Sequence, residues 1–215
     1  MSEQPDSTTA TTVSAVSAQT AQTAQTAQTA QTAQTTVSAE SATASVRLEA
    51  WSEEDAGLLR ALNAPQLMEH LGGPETEEQL DRRHRRYVDL SADTTGAGRM
   101  FRIVLLPEER IAGSIGFWAS AWHGEPVYET GWTVLPGFQG RGVATLATRA
   151  VAERARAAGL HRHLHAFPSV ENAASNAVCR KAGFELLGEQ DFEYPPGRQT
   201  RCNDWRLDLS ATGDR

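Results

Sequence analysis

Residues 134–144 read Val-Leu-Pro-Gly-Phe-Gln-Gly-Arg-Gly-Val-Ala, and no other stretch limits the fold of this chain so severely. An apolar run ends at Pro136-Gly137 and a glycine-rich turn follows. From Val143 the apolar positions 143, 146, 147, 150 and 151 trace the stripe of an amphipathic helix that Gly159 closes. A strand feeding a helix through so tight a turn belongs to a mixed α/β architecture. The junction is also an anion site, because the first turn of a helix offers N–H groups without intrahelical partners and a positive dipole end. Gly140 and Gly142 let backbone approach a diphosphate with no Cβ in the way, and Arg141 adds a charge-assisted contact.

Two common phosphate binders are excluded by the same residues. A nucleotide-hydrolysing loop needs Gly-Lys-Ser/Thr, and no lysine is present here. A dinucleotide fingerprint needs a third glycine where Thr145 stands.

The flanking pattern alternates strands and helices. Strands are expected at 46–50, 100–106, 111–122, 127–135, 161–167, 184–187 and 204–209, with helices from Ser52 through Leu62, at 77–90, 143–158 and 173–182. Ser52 reads as a helix cap followed by three acids, Gly72-Gly73-Pro74 as a break, and Gly183 as a left-handed helix terminator. Gly131, inside a strand, reads as a bulge.

The first 45 residues differ in kind. Ala-Gln-Thr repeats six times from Ala18 to Thr35, no charge occurs between Ser7 and Ala39, and the apolar side chains number little more than three valines. Such a segment cannot offset the backbone entropy of ordering, about 1–2 kcal/mol per residue, so 1–45 is expected to be a disordered low-complexity tail and 46–215 the folded domain. The tail lacks the basic and apolar regions of a secretory signal.

The whole chain of 215 residues has a formal charge of −7, which argues against nonspecific nucleic-acid binding. Its two cysteines, Cys179 and Cys202, are too few for a disulfide scaffold or a thiolate metal site, and no apolar run is long enough to cross a membrane. These features fit a cytoplasmic protein with no nucleic-acid or membrane partner. Lys181 is the only lysine beside nineteen arginines.

Four segments, in order, carry a family resemblance. Gln139-Gly-Arg-Gly-Val-Ala144 is similar to the pyrophosphate loop of the GNAT superfamily of acetyl-CoA-dependent N-acetyltransferases. Asn172-Ala-Ala-Ser175 running to Lys181-Ala-Gly183-Phe184 is similar to that family's downstream segment. Glu129-Thr-Gly-Trp132 and, more weakly, Gly72-Gly-Pro-Glu-Thr-Glu-Glu78 resemble the branch of ribosomal-protein-alanine acetyltransferases (RimJ/RimL-like).

The resemblance implies an α+β fold in which a mostly antiparallel sheet of six to seven strands splays into a V-shaped cleft, with helices on both faces. It implies that backbone at Trp132, Thr133 and Val134 pairs with the pantetheine arm of acetyl-CoA. Gln139, Gly140, Arg141, Gly142, Val143 and Ala144 would then hold the diphosphate, and Asn172 and Ser175 would line the far wall. Glu129 falls at the position of the base that deprotonates an amine acceptor; Ser175 or water serves as the acid, because Cys179 stands where relatives often carry a tyrosine. No metal is required. The implied reaction is direct acetyl transfer from acetyl-CoA to a primary amine: a protein N-terminus, an amino acid or polyamine, or an amine antibiotic. The rival class is a non-catalytic acyl-CoA sensor. Homodimerisation through sheet edges is compatible with the fold.

Three other features await the structure. His161, His163 and His165 alternate and would share a strand face, where a metal could bind. Trp118, Trp122, Tyr128, Trp132 and Trp205 fall on strands, as core or as the lining of an acceptor pocket. Glu69, Asp191 and Glu193 fall in loops on the expected acceptor side and would suit a cationic substrate.

Overall fold

A computed structural model describes residues 44–193, 197 and 199–210; the Ala-Gln-Thr repeat lies outside the described residues. The chain opens with β1 (Ser45–Ala50), α1 (Ala56–Leu62), α2 (Pro65–Met68) and α3 (Glu77–Ala92). A meander of β2 (Gly98–Leu106), β3 (Arg110–Trp122) and β4 (Glu125–Val134) follows. Then come α4 (Val143–Ala158), β5 (His163–Ala166), α5 (Ala173–Ala182), β6 (Glu185–Glu193) and β7 (Gln199–Asp208). Helices α4 and α5 occupy the residues their apolar stripes and glycine terminators predict. The short α2 was not legible: four residues, started by Pro65 at its first position, are too few to show a period.

Caps set the entries of the first helices. The Ser52 N–H donates to Asp55 Oδ2 at 2.8 Å, starting a short 3-10 turn at Glu53–Asp55 that leads into α1. Thr76 and Gln79 form the same reciprocal box at the start of α3. Asp55 is buried, and its charge is met by Arg102 at 3.2 Å.

The seven strands form one sheet in the order β1-β2-β3-β4-β5-β7-β6. All neighbours are antiparallel except β4 and β5, which α4 connects as a parallel crossover. Period-2 alternation sorts the side chains onto two faces. One face carries Phe101, Ile115, Phe117, Tyr128, Leu164, Ala166 and Trp205 under α4 and α5, and the small inward residues Ala147, Ala152 and Ala155 let α4 lie close to the sheet. On the other face α1 and α3 cover Met100 and Trp118 with Leu59 and Leu80.

Three strand expectations are corrected. The β3–β4 register runs unbroken from Gly113↔Val134 to Trp122↔Glu125, so Gly131 is not a bulge. Its missing side chain makes room for the Trp118 indole, which a Cβ would meet at 3.2 Å. The strand expected from His161 begins only at His163. The closing hairpin is longer than expected because β6 and β7 extend through polar residues; there Arg201 pairs with Glu189 and Asp191, each at 3.1 Å, so exposed strand is held without apolar alternation.

Asn176 is buried and spends its whole amide. Its Nδ2 donates to the Ser169 and Asn172 carbonyls at 2.9 Å, while its Oδ1 accepts from Asn203 Nδ2 at 2.7 Å and Trp205 Nε1 at 2.8 Å. This one side chain ties α5 to β7.

Close backbone approach between β3 and β4 depends on Gly113, where a Cβ would stand 2.1 Å from the Thr133 carbonyl oxygen and 2.9 Å from Val134 Cα. Gly113→Ala is therefore expected to destabilise the fold by about 3 kcal/mol through overpacking, read as a lower urea midpoint with unchanged slope.

Candidate active site

Strand β4 is the spine of the site. The Leu135 N–H donates to the Ala112 carbonyl at 2.8 Å, so by antiparallel alternation the odd-numbered residues of β4 spend their backbone groups on β3. Trp132 and Val134 therefore turn theirs the other way, toward β5. Strand β5 pairs with β4 only at Tyr128↔Leu164 and Glu129↔His165. Beyond Glu129 the two strands diverge among the described residues, and a cleft opens with unspent backbone groups along its β4 wall. The expected trio is thereby divided: Trp132 and Val134 face the cleft, whereas the backbone of Thr133 belongs to β3.

At the mouth of the cleft the chain turns through Pro136–Phe138 and Gln139–Gly142 into α4. Gln139 Nε2 donates to the Val134 carbonyl at 2.9 Å, bracing the turn against the strand end. Gly140 and Gly142 have φ of 72° and 79°, and a Cβ at either would meet nothing within 4 Å, so these glycines are needed for their left-handed backbone. Gly142 caps α4 with no side-chain acceptor, and the first intrahelical bond runs from Leu146 N–H to the Gly142 carbonyl at 3.0 Å. The N–H groups of Val143 and Ala144 thus remain for a ligand.

Beside this helix start lies a depression of about 450 Å³ lined by Ala44, Arg141, Gly142, Thr145, Arg149 and Lys181. Three cations border it. Arg141 is paired with Glu108 at 2.5 Å, and Arg149 donates to the Lys181 carbonyl at 2.5 Å. Arg149 and Lys181 escaped the sequence reading as ligands, although the lone lysine was itself a signal. Across the cleft Asn172 caps α5, its Oδ1 accepting from the Ser175 N–H at 2.9 Å. The Ser175 hydroxyl is half-buried and has no protein partner among the described residues, and no contact links it to Glu129.

Glu129 sits where the cleft begins, on the face away from α4. Burial pushes its carboxyl above the ordinary value, opposed by Ser120 and Trp118 on β3 and by Arg86 and His165, all of which favour the charged form. Its register partner His165 is 4% exposed, and the ring Nδ1 lies 2.7 Å from Asp204 Oδ1. Asp204, 2% exposed, also accepts from Trp122 Nε1 at 2.8 Å. Sequence reading missed this pair; an acid at an inward position between Cys202 and Trp205 was the available signal.

The remaining candidates disperse. His161 lies outside β5 with its ring 4.8 Å from that of Tyr128, while His165 is committed to Asp204, so the three alternating histidines do not act as a set. Among the described residues no group of three metal-ligating side chains converges. Cys179 is fully buried under the opposite face, where burial pushes its thiol up to about 12, which makes it a packing residue. Tyr128 and Trp205 are core, whereas Trp118, Trp122 and Trp132 are partly exposed. Glu69 is exposed, Asp191 is held by Arg201, and the Glu193 side chain lies outside the described residues.

Residues 45–185 match the family model for the acetyltransferase (GNAT) domain. The chain belongs to the GNAT acetyltransferase family. It is thereby an acyltransferase. No curated protein sequence matches it. Among solved structures, a RimL ribosomal L7/L12 alpha-N-protein acetyltransferase in complex with coenzyme A superposes with a TM-score of 0.63 at 22% identity, covering 78% of this chain and 96% of that one. Spermidine N-acetyltransferase from Vibrio cholerae, in complex with CoA and spermine, gives 0.61 at 16% identity over 77% and 96%. Aminoglycoside acetyltransferase AAC(6')-Ib, in complex with coenzyme A, gives 0.58 at 19% over 77% and 94%. These likenesses establish the shared fold.

The raised Glu129 carboxyl has a consequence for stability. A carboxyl that binds its proton more tightly folded than unfolded destabilises the fold above its folded pKa, and the effect fades as pH falls toward the unfolded value of about 4.3. Glu129→Gln is therefore expected to raise the melting midpoint at pH 7. Its advantage over the parent should shrink steadily as the scan is repeated toward pH 4.

Proposed function

We propose that this GNAT-family chain uses acetyl-CoA as its donor and acetylates a primary amine by direct attack, without an acyl-enzyme. The observation that carries this reading is the divergence of β5 from β4 after Glu129, which leaves the Trp132 backbone and the Val134 N–H without a strand partner between an uncapped helix start and a half-buried carboxylate. The residues fit the donor piece by piece. The N–H groups of Val143 and Ala144, with Arg141, Arg149 and Lys181 around them, suit its phosphates. The cleft-facing backbone of Trp132 suits a pantetheine amide, in the manner of an added strand, while the Val134 carbonyl is held by Gln139. Arg141 exchanges Glu108 for phosphate in this reading, and Gln139 serves by bracing the turn.

An alkylammonium has a pKa of about 10.4 and a thiol one of about 8.5, so deprotonating the acceptor is the harder proton step. Glu129 takes that proton, directly or through a water, and its burial makes it a stronger base than an exposed carboxylate. The Val134 N–H polarises the thioester carbonyl as the amine attacks. The thiolate then leaves and is reprotonated, with Ser175 as the donor on the α5 side. The relatives named above span a ribosomal protein, an aminoglycoside and a polyamine. The acceptor class proposed here is accordingly a primary amine that enters from the Glu129 face.

Acetyl-CoA at about 100-fold excess over its dissociation constant should stabilise the protein by about 2.7 kcal/mol and raise the melting midpoint by several degrees. CoA should do the same, and Gly140→Asp should abolish the shift by placing a carboxylate at the helix start. Thiol release with a panel of amines should fall on the order of 10²-fold or more in Glu129→Gln while the acetyl-CoA shift persists. Absence of any shift at millimolar acetyl-CoA would overturn the reading.

A further inference from the structure

Behind Glu129 stands a histidine–carboxylate pair that the transfer chemistry above leaves without a task. We propose that His165, oriented by Asp204, is a positioning and relay residue that receives through Glu129 the proton lost by the acceptor amine. The proposal rests on the acetyltransferase reading and extends it to a second proton-handling group.

The placement follows from the sheet. Glu129 and His165 are Cα partners on adjacent parallel strands, so their side chains rise from the same face about 5 Å apart at the base. They form the last pair before the strands diverge, which puts both at the head of the cleft. Asp204 rises from that face one strand further on, two residues along from Arg206, the β7 partner of His165.

The hydrogen bonds decide which nitrogen is available. Asp204 is buried and receives the Trp122 indole N–H on Oδ2 and the imidazole Nδ1 on Oδ1. A buried carboxylate with one donor on one oxygen requires a donor on the other, so Nδ1 carries the hydrogen and Nε2 holds the lone pair. Nε2 has no protein partner among the described residues. The ring is kept from turning by Phe167, stacked at 5.8 Å and 22°. An imidazole held in this way accepts a proton at Nε2, and the anion behind Nδ1 stabilises the imidazolium that results.

The step balances. Ammonium and acetyl thioester yield amide, thiol and one proton. One N–H bond of the ammonium breaks before the attack, its electron pair stays on nitrogen, and that proton passes from the Glu129 carboxyl through a water to His165 Nε2. The second N–H proton leaves the tetrahedral adduct and restores the Ser175 hydroxyl that protonates the departing thiolate. Release to solvent after product departure resets the pair. Besides Asp204, the charged and titratable groups around the imidazole are Glu129 from β4, His163 from its own strand, Arg206 from β7 and, through Glu129, Arg86 from α3. Arg206 is itself paired with Glu185 at 2.8 Å, and His163 has its ring centre 6.4 Å from that of His165.

Three variants separate a relay from a structural pair. In His165→Asn the amide nitrogen falls near Nδ1 and keeps the bond to Asp204, but nothing replaces Nε2. Asp204→Asn is isosteric and presents a donor to Nδ1, which reverses the tautomer. His165→Gln removes the imidazole and places an amide toward Nε2. All three are expected to lower kcat on the order of 10²-fold, leave KM for acetyl-CoA unchanged and move the acid limb of the pH profile to higher pH. Retention of the parent kcat and pH profile by His165→Asn would overturn the proposal. Should a variant fail to fold, as judged by its melting midpoint and acetyl-CoA shift, nitrogen NMR of the parent decides directly. The neutral ring is expected to carry its hydrogen on Nδ1, with the Nε2 signal perturbed in Glu129→Gln; a neutral ring with its hydrogen on Nε2 would sink the idea. A parent that turns over no amine would instead count against the acetyltransferase reading, and the tautomer would still be read independently.

Discussion

The site depends on a pairing that stops. Strands β4 and β5 hold each other at only two residue pairs, and the hydrogen bonds they then decline to make create the cleft. Backbone groups in a sheet are strongly committed, and leaving those of Trp132 and the N–H of Val134 open is tolerable only where water or a ligand can reach them. The divergence is supported on both sides. Gly113 allows β3 to hold β4 tightly, and the Asn176 amide holds α5 to β7, so neither wall follows the other inward.

Polar groups are unevenly spent around that cleft. On the helical face every buried residue is apolar or satisfied, and even Cys179 is only filler. On the opposite face charged groups sit beside the apolar cluster: half-buried Glu129 is kept there against the cost of desolvation, and buried Asp204 is stabilised by donors from two different strands. A fold that selected only for stability would replace Glu129 with an apolar residue. Its position beside an imidazole supports the reading of this face as one arranged for proton transfer.

Much of this was legible beforehand because it is local. The stripe from Val143 to Val151 and the terminators Gly159 and Gly183 give helices α4 and α5 their bounds, since periodicity and capping act within a few residues. The turn into α4 was legible for the same reason, since Gly140 and Gly142 adopt left-handed backbone there. What escaped notice is long-range. Gly131 looked like a bulge, but its cause is a tryptophan on the next strand. His165 looked like one of three similar histidines until β7 brought Asp204 to it across 39 positions of sequence. Lys181 and Arg149 are 32 residues apart and border one depression only because α5 packs along α4. The length of the β6–β7 hairpin was hidden in polar residues whose ion pairs become visible only after pairing.

Lys181 has a further practical meaning. A chain with nineteen arginines and one lysine presents a single side-chain amine to reagents that acylate amines, and that amine borders the depression beside the start of α4. Guanidinium groups remain protonated and inert toward such reagents, so the basic surface is chemically silent apart from this point. Lysine-directed labels would therefore report on one defined place in the fold, and protection of that place by a phosphate-bearing ligand could be followed without introducing a new residue.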